Sequence, residues 1–79
     1  MIERDMDIRY ADTVSDLTAY QRQIICAVYK HSKSLLELIA RLSVIKFCDF
    51  ETSVDVLVNT EYISTADKNY LLKEWRKNR

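Results

Sequence analysis

The sequence predicts an all-α fold, a compact bundle of three to four helices, from two observations. The chain contains neither glycine nor proline, and tight β-hairpin turns and left-handed turn positions depend on glycine. Apolar residues also recur at every third or fourth position, which is the spacing of one face of an α-helix. A length of 79 residues allows one domain, so we expect a single helical domain over residues 13–79.

Residues 1–12 form a predicted polar N-terminal arm. Met6, Ile8 and Tyr10 alternate there with polar residues, which is the period-two pattern of an extended segment with one apolar face. The arm is either disordered or laid against the body or against a partner subunit, and the pattern alone leaves these arrangements open.

The first helix is predicted to begin between Asp12 and Ser15, where several N-cap residues compete, and to end near residues 31–33. One face of this helix carries its apolar stripe. That stripe consists of Leu17, Tyr20, Ile24, Val28 and His31, and Ile25 and Tyr29 widen it.

A second helix is predicted to start at Ser34, which has the spacing of a capping box with Glu37. Leu36 and Val44 lie off its main stripe, so this helix is apolar nearly all round and is expected to be central. One continuous helix over residues 14–47 is the alternative, and residues 44–47 are open to a short strand. The main stripe is Leu35, Leu38, Ile39, Leu42 and Ile45.

Asp49 is the predicted N-cap of a third helix, which should end near Asn59 and Thr60. Ser64 and Asp67 then form a second predicted capping box, which opens a fourth helix. The predicted buried residues of the third helix are Phe50, Val54, Leu57 and Val58, and those of the fourth are Ala66, Tyr70, Leu71 and Trp75, with Leu72 at the edge.

The charges of the chain cancel, since the formal net charge is +0, so the whole molecule presents no strong field to nucleic acid or an anionic membrane. The acidic residues nevertheless gather near the start of the chain and the basic residues near its end. Either the two ends attract each other, or the basic tail meets an acidic partner.

No catalytic, cofactor or metal site is predicted. The soft metal ligands are limited to Cys26, His31 and Cys48, whereas structural zinc needs four ligands at workable spacing. The missing glycines exclude glycine-rich phosphate loops. No signal peptide or membrane-spanning run is recognised, so we expect a cytoplasmic, non-enzymatic protein with reduced cysteines.

The favoured function is therefore a small regulator or inhibitor that covers the surface of a protein partner, as compact proteins of phages and mobile elements often do. Because a chain this short has a marginal core while 48% of its residues are hydrophobic, we also expect a homodimer. The candidate contacts are the tyrosines that fit the helical stripes least well and the basic residues near the end of the fourth helix. These candidates are Tyr29, Tyr62, Tyr70, Lys73, Arg76 and Lys77.

The alternative function is a helix-turn-helix regulator that reads DNA with the helix over residues 65–77. Such a helix would present polar and basic side chains to a groove. The acidic residues Asp55, Glu61 and Asp67 beside the turn count against this alternative. The groove-facing side chains would be Lys68, Asn69, Tyr70, Lys73 and Arg76.

Overall fold

A computed structural model describes residues 10–77 of the chain, and within them the backbone forms four α-helices. A short 3-10 helix at Val14–Asp16 precedes them, and no β-strand occurs in this range. The predicted all-α bundle is therefore confirmed, with two helices rather than one across residues 14–47. The helices are α1 at Ala19–His31, α2 at Leu35–Ser43, α3 at Phe50–Asn59 and α4 at Thr65–Lys77.

The helix α1 begins later than predicted because a complete capping box forms at Thr18. Its side chain accepts a hydrogen bond from the Gln21 backbone N–H, and the Gln21 side chain accepts one from the Thr18 N–H. These two bonds satisfy two free donors at the helix start. The segment Asp12 to Ser15, where the start was predicted, lies instead in the approach to α1 and its 3-10 helix.

The buried face of α1 is also rotated from the predicted stripe. Ile25 is fully buried, whereas Ile24 is half-buried and Tyr20 is 71% exposed. Neighbouring residues on a helix point about 100° apart. A stripe centred on Ile24 instead of Ile25 therefore predicts, wrongly, that Tyr20 faces the core. The predicted end near residue 31 is confirmed.

The central helix is α3 and not α2 as predicted. It packs against α1, α2, α4 and the 3-10 helix, while α2 leaves Leu36 61% exposed and Val44 72% exposed. Small side chains on α3 allow its neighbours to approach closely from several directions. Its buried residues are Phe50, Thr52, Ser53, Val54, Val56 and Leu57.

The segment between α2 and α3 holds the described end of the arm. The Ala11 backbone N–H donates a hydrogen bond of 2.7 Å to the Phe47 carbonyl, and Ala11 forms an isolated parallel bridge with Cys48. Residues 44–47 form no strand, since this bridge is a single residue pair. Ala11 is buried, so this end of the arm lies against the body, whereas Met6 and Ile8 fall outside the described residues.

The predicted caps of α3 and α4 are confirmed. The Asp49 carboxylate accepts a hydrogen bond of 2.8 Å from the Thr52 N–H. Ser64 and Asp67 exchange both bonds of a capping box. Ser34 likewise caps α2, although the carboxylate of Glu37 accepts from Lys33 instead of closing the reciprocal bond.

The helix α4 docks through fewer side chains than predicted. Leu71 and Leu72 are buried, and Trp75 is half-buried against Phe50. Ala66 and Tyr70 were predicted to face inward, but both are exposed. They lie on the side of the helix opposite to its docked face, together with Lys73 and Lys77.

Candidate functional site

Two of the predicted contact tyrosines meet at the surface, where they form a feature that we call the tyrosine ridge, made of Tyr29, Lys30 and Tyr62. The two rings are stacked with centroids 5.3 Å apart and planes 9° apart. The Tyr29 hydroxyl donates a hydrogen bond to the Tyr62 carbonyl across 33 residues of sequence. The Lys30 ammonium lies 5.5 Å from the centroid of the Tyr62 ring, which is within the range of a cation–π contact.

The backbone at the end of α3 sets the position of Tyr62. Glu61 has a φ of 65°, and its N–H bonds to the Val58 carbonyl while the Tyr62 N–H bonds to the Leu57 carbonyl. This pair of bonds is a Schellman motif. The motif usually places glycine in the left-handed position, so a chain without glycine gave no sequence signal for it.

Two shallow concavities border the tyrosine ridge. The first has a volume of about 580 Å³, and its lining includes Arg22, Cys26, Lys30 and Tyr62. The second has a volume of about 350 Å³ and is lined in part by Tyr29, Lys30 and Leu35. Because Lys30 lines both concavities and each tyrosine lines one, the ridge forms their common border.

The lining of both concavities is cationic. Neither includes an aspartate or a glutamate, while Arg22, Lys30 and Lys33 all contribute. Within residues 10–77, these three cations form no ion pair. Other cations do: Arg41 pairs with Glu37, Lys68 with Asp55, and Lys77 with Glu74.

Arg22 is the most firmly held of the lining cations. One guanidinium nitrogen donates a hydrogen bond of 3.2 Å to the Leu17 carbonyl, so the side chain is fixed against the body by a neutral acceptor. The guanidinium has five N–H donors, and this bond uses one of them. Its positive charge is not neutralised by that contact.

The remaining predicted contacts occupy a second surface, the outer face of α4. Tyr70, Lys73, Arg76 and Lys77 are all exposed. Helical spacing places Tyr70, Lys73 and Lys77 on the side opposite to the buried pair Leu71 and Leu72, with Arg76 at the edge of that side. Lys77 pairs with Glu74 at 3.5 Å. Lys73 and Arg76 have no ion-pair partner in the described part of the chain. No hydrogen bond, ion pair or ring contact within that part joins these residues to the tyrosine ridge.

Lys68 does not belong to that outer face, although the DNA-binding alternative placed it in a groove. Its ammonium lies 2.5 Å from the Asp55 carboxylate, which ties α4 to α3. The hydrogen bond to Asp55 raises the pKa of Lys68. This lysine therefore has a structural partner, in contrast to Lys73 and Arg76.

No protein family, curated protein or solved structure matches this chain. The chemistry of the two surfaces is therefore the basis for its proposed function.

The two cysteines have different environments. Cys48 is buried beside Ser53, with 3.3 Å between the sulfur and the hydroxyl oxygen, and burial raises the pKa of its thiol. Cys26 is half-buried and lines the first concavity. Between residues 10 and 77, no three His, Cys, Asp or Glu side chains are grouped as a metal ion would need.

The helices between residues 10 and 77 are each too short or too polar to cross a membrane.

Sequence reasoning named the tyrosines but missed the lining of the first concavity. Arg22, Cys26 and Lys30 recur at intervals of four residues, which places them in one row along a helix. That signal was present in the sequence. The spacing indicates a shared surface only when Ile25, and not Ile24, lies at the centre of the buried face of α1.

Proposed function

We propose that this chain is a non-enzymatic, cytoplasmic regulator or inhibitor that binds a protein partner through the tyrosine ridge. The observation that carries the proposal is the stacked pair of Tyr29 and Tyr62 at the surface, bordered by two concavities. Tyrosine is enriched among the residues that contribute most to protein interfaces, because it combines a large apolar ring with a polar tip.

The arrangement of the ridge fits such a contact. Tyr62 is 37% exposed, so part of its ring remains available to a partner while the stack with Tyr29 supports the rest. The concavities on either side offer room for partner side chains, which is where well-packed interface contacts usually form.

Replacing Tyr62 with alanine is expected to weaken partner binding by about tenfold or more, because loss of an interface hot spot typically costs at least about 2 kcal/mol. The full chain would be tagged and recovered from its native host, and the co-purifying protein would be identified and quantified. Tyr20→Ala is the matched control, since Tyr20 is a strongly exposed tyrosine on the same helix as Tyr29.

The two variants should differ in recovery of the same partner while both keep the helical circular dichroism of the natural chain. Equal recovery with Tyr62→Ala and with the natural chain would contradict the proposal. Turnover of a small molecule by the purified chain would contradict its non-enzymatic part.

We also propose that the chain forms a homodimer through the exposed face of α2. Leu36 and Val44 are large apolar residues left uncovered there, with the exposed Ala40 between them. Sedimentation equilibrium should show a dimer that Leu36→Glu converts to a monomer, because a charge in an apolar contact is costly. A natural chain that remains monomeric at every concentration tested would contradict the dimer.

DNA binding through α4 remains the second candidate, favoured by the exposed and unpaired Lys73 and Arg76 within the described range. The acidic Glu61 and Asp67 near the start of α4, and the engagement of Lys68 by Asp55, weigh against it. Phosphate contacts make DNA binding fall steeply with salt. Recovery of nucleic acid that Lys73→Glu with Arg76→Glu abolishes, and Tyr62→Ala does not, would favour this candidate over the ridge.

A further inference from the structure

We infer that the first concavity binds an extended acidic segment of the protein partner, with two carboxylates four residues apart and an apolar side chain midway between them. This inference rests on the proposed function and specifies the chemistry of its partner. The observations behind it are the row of Arg22, Cys26 and Lys30, the absence of carboxylates from the lining, and the missing ion pairs of both cations within residues 10–77.

The spacing of the two cations sets the spacing of the acids. Arg22 and Lys30 are eight positions apart on α1, which is about 12 Å along a helix that rises 1.5 Å per residue. In an extended segment, every second side chain points to the same side and each residue advances about 3.3 Å. Residues four apart are therefore about 13 Å apart on one face, which is close to the rise between the backbone positions of the two cationic residues.

The middle of the row is apolar. Cys26 lies between the cations, and the rest of the lining combines Ala19, Ala27 and the Tyr62 ring with the polar residues Gln23, His31 and Thr60. The middle residue of the segment would lie above Cys26, since it points to the same side as the two acids. A medium-sized aliphatic side chain such as leucine suits a lining of this composition, because its burial there removes apolar surface from water.

Electrostatics favours an acidic segment over a neutral one. The Arg22 guanidinium is half-buried and already oriented by the Leu17 carbonyl, and a charge-assisted hydrogen bond to a carboxylate is about twice as strong as a neutral one. Lys30 is exposed and also contacts the Tyr62 ring. A carboxylate near Lys30 would therefore bring the segment against the tyrosine ridge.

The test is a titration of the full, isotope-labelled chain with a capped synthetic peptide of sequence Ser-Glu-Ser-Leu-Ser-Glu-Ser, followed by two-dimensional NMR. Saturable shifts are expected at the amides of residues 22–31 and 60–62, and not on the outer face of α4. Two control peptides have glutamine at both acidic positions, or the order Ser-Ser-Glu-Leu-Glu-Ser-Ser, in which the acids are only about 7 Å apart.

The glutamine peptide is expected to bind about two- to thirtyfold more weakly, because it loses both exposed ion pairs, and the closely spaced peptide up to about fivefold more weakly, because it can keep only one of them. The Lys30→Glu variant should lose binding of the first peptide to a similar extent. The matched control is Lys46→Glu, which reverses the charge of another exposed lysine that has no ion pair in the described range and lies outside both concavities. Its affinity should remain within about twofold of the natural chain.

Four outcomes would overturn the inference. These are no saturable shift at millimolar peptide, equal binding of the glutamine peptide, equal weakening by Lys46→Glu and Lys30→Glu, or a single-stranded oligonucleotide that binds the same residues more tightly than the peptide. If the captured partner depends on Tyr62 while the peptide fails, the proposed function stands and this inference falls. If capture is insensitive to Tyr62, the proposed function itself falls.

Discussion

Leu57→Ala is expected to lower the free energy of unfolding by about 2–5 kcal/mol, the range for truncating a fully buried leucine and leaving part of a cavity. Leu57 is 0% exposed and belongs to α3, the helix against which the rest of the described chain packs. A small domain has only about 5–15 kcal/mol of stability, so this one change is expected to bring the chain close to its folding limit.

The measurement is urea unfolding followed by far-ultraviolet circular dichroism, with Tyr20→Ala as the control. Tyr20 is also a large side chain cut back to alanine, but it is 71% exposed and belongs to neither proposed interface, so its loss should alter stability by no more than about 0.5 kcal/mol. Equal losses in the two variants would show that α3 does not form the centre of the core.

Phe50→Ala is expected to cost about 3–5 kcal/mol, the range for truncating a buried aromatic residue. Phe50 is buried and stacks on Trp75 with ring centroids 4.8 Å apart and planes 10° apart. This stack joins the first turn of α3 to the last turns of α4. Its loss should loosen the end of α4 as well as lower global stability, because an aromatic pair contributes about 0.5–1.5 kcal/mol beyond its buried area.

Trp75 is the only tryptophan in the chain, so its fluorescence reports on the stack directly. Phe50→Ala should shift the emission toward that of a solvated indole before denaturant is added. Phe47→Ala is the control, since Phe47 is only half-buried, and its effect should be smaller with the emission unchanged. An unchanged emission in Phe50→Ala would contradict the importance of the stack for α4.

The local features of this fold could be predicted from sequence because they depend on residues three or four positions apart. Asp49 and the pair of Ser64 and Asp67 satisfy N–H groups of their own helices, so their spacing indicates their caps. The same spacing at Thr18 and Gln21 did not locate the start of α1, because Asp12 to Ser15 offer competing N-cap residues. The end of α1 at His31 and the separation of α1 from α2 were recognisable for the same reason.

The choice of buried face could not be predicted as well, because it depends on what packs against a helix. Ile24 and Ile25 are adjacent and equally apolar, and only the tertiary contacts make Ile25 the buried one. Because α2 is apolar nearly all round, its sequence does not indicate which side is buried. In the structure Leu36 and Val44 are exposed. Thr52 and Ser53 are polar, so nothing in the sequence indicated that they would be buried in α3, the central helix.

The candidate site was predictable in its residue types and not in its geometry. Tyr29 and Tyr62 were singled out because they did not fit the helical stripes, yet their stack joins residues 33 positions apart, and no local pattern encodes such a distance. Tyr70, Lys73 and Lys77 share a face, with Arg76 at its edge, because helical spacing groups them. The separation of that face from the ridge depends on how the helices are arranged.

The left-handed backbone conformation of Glu61 bears on the conformational entropy that Tyr62 would lose when a partner binds. Holding a residue with a β-carbon in that region costs about 1–2 kcal/mol. The same conformation allows the two Schellman hydrogen bonds, which fix the backbone that carries Tyr62. Ordering a free side chain on association normally costs about 0.5–1.5 kcal/mol. For Tyr62 much of this freedom is already lost when the chain folds, so a partner would meet an ordered ring and that part of the binding cost would be reduced.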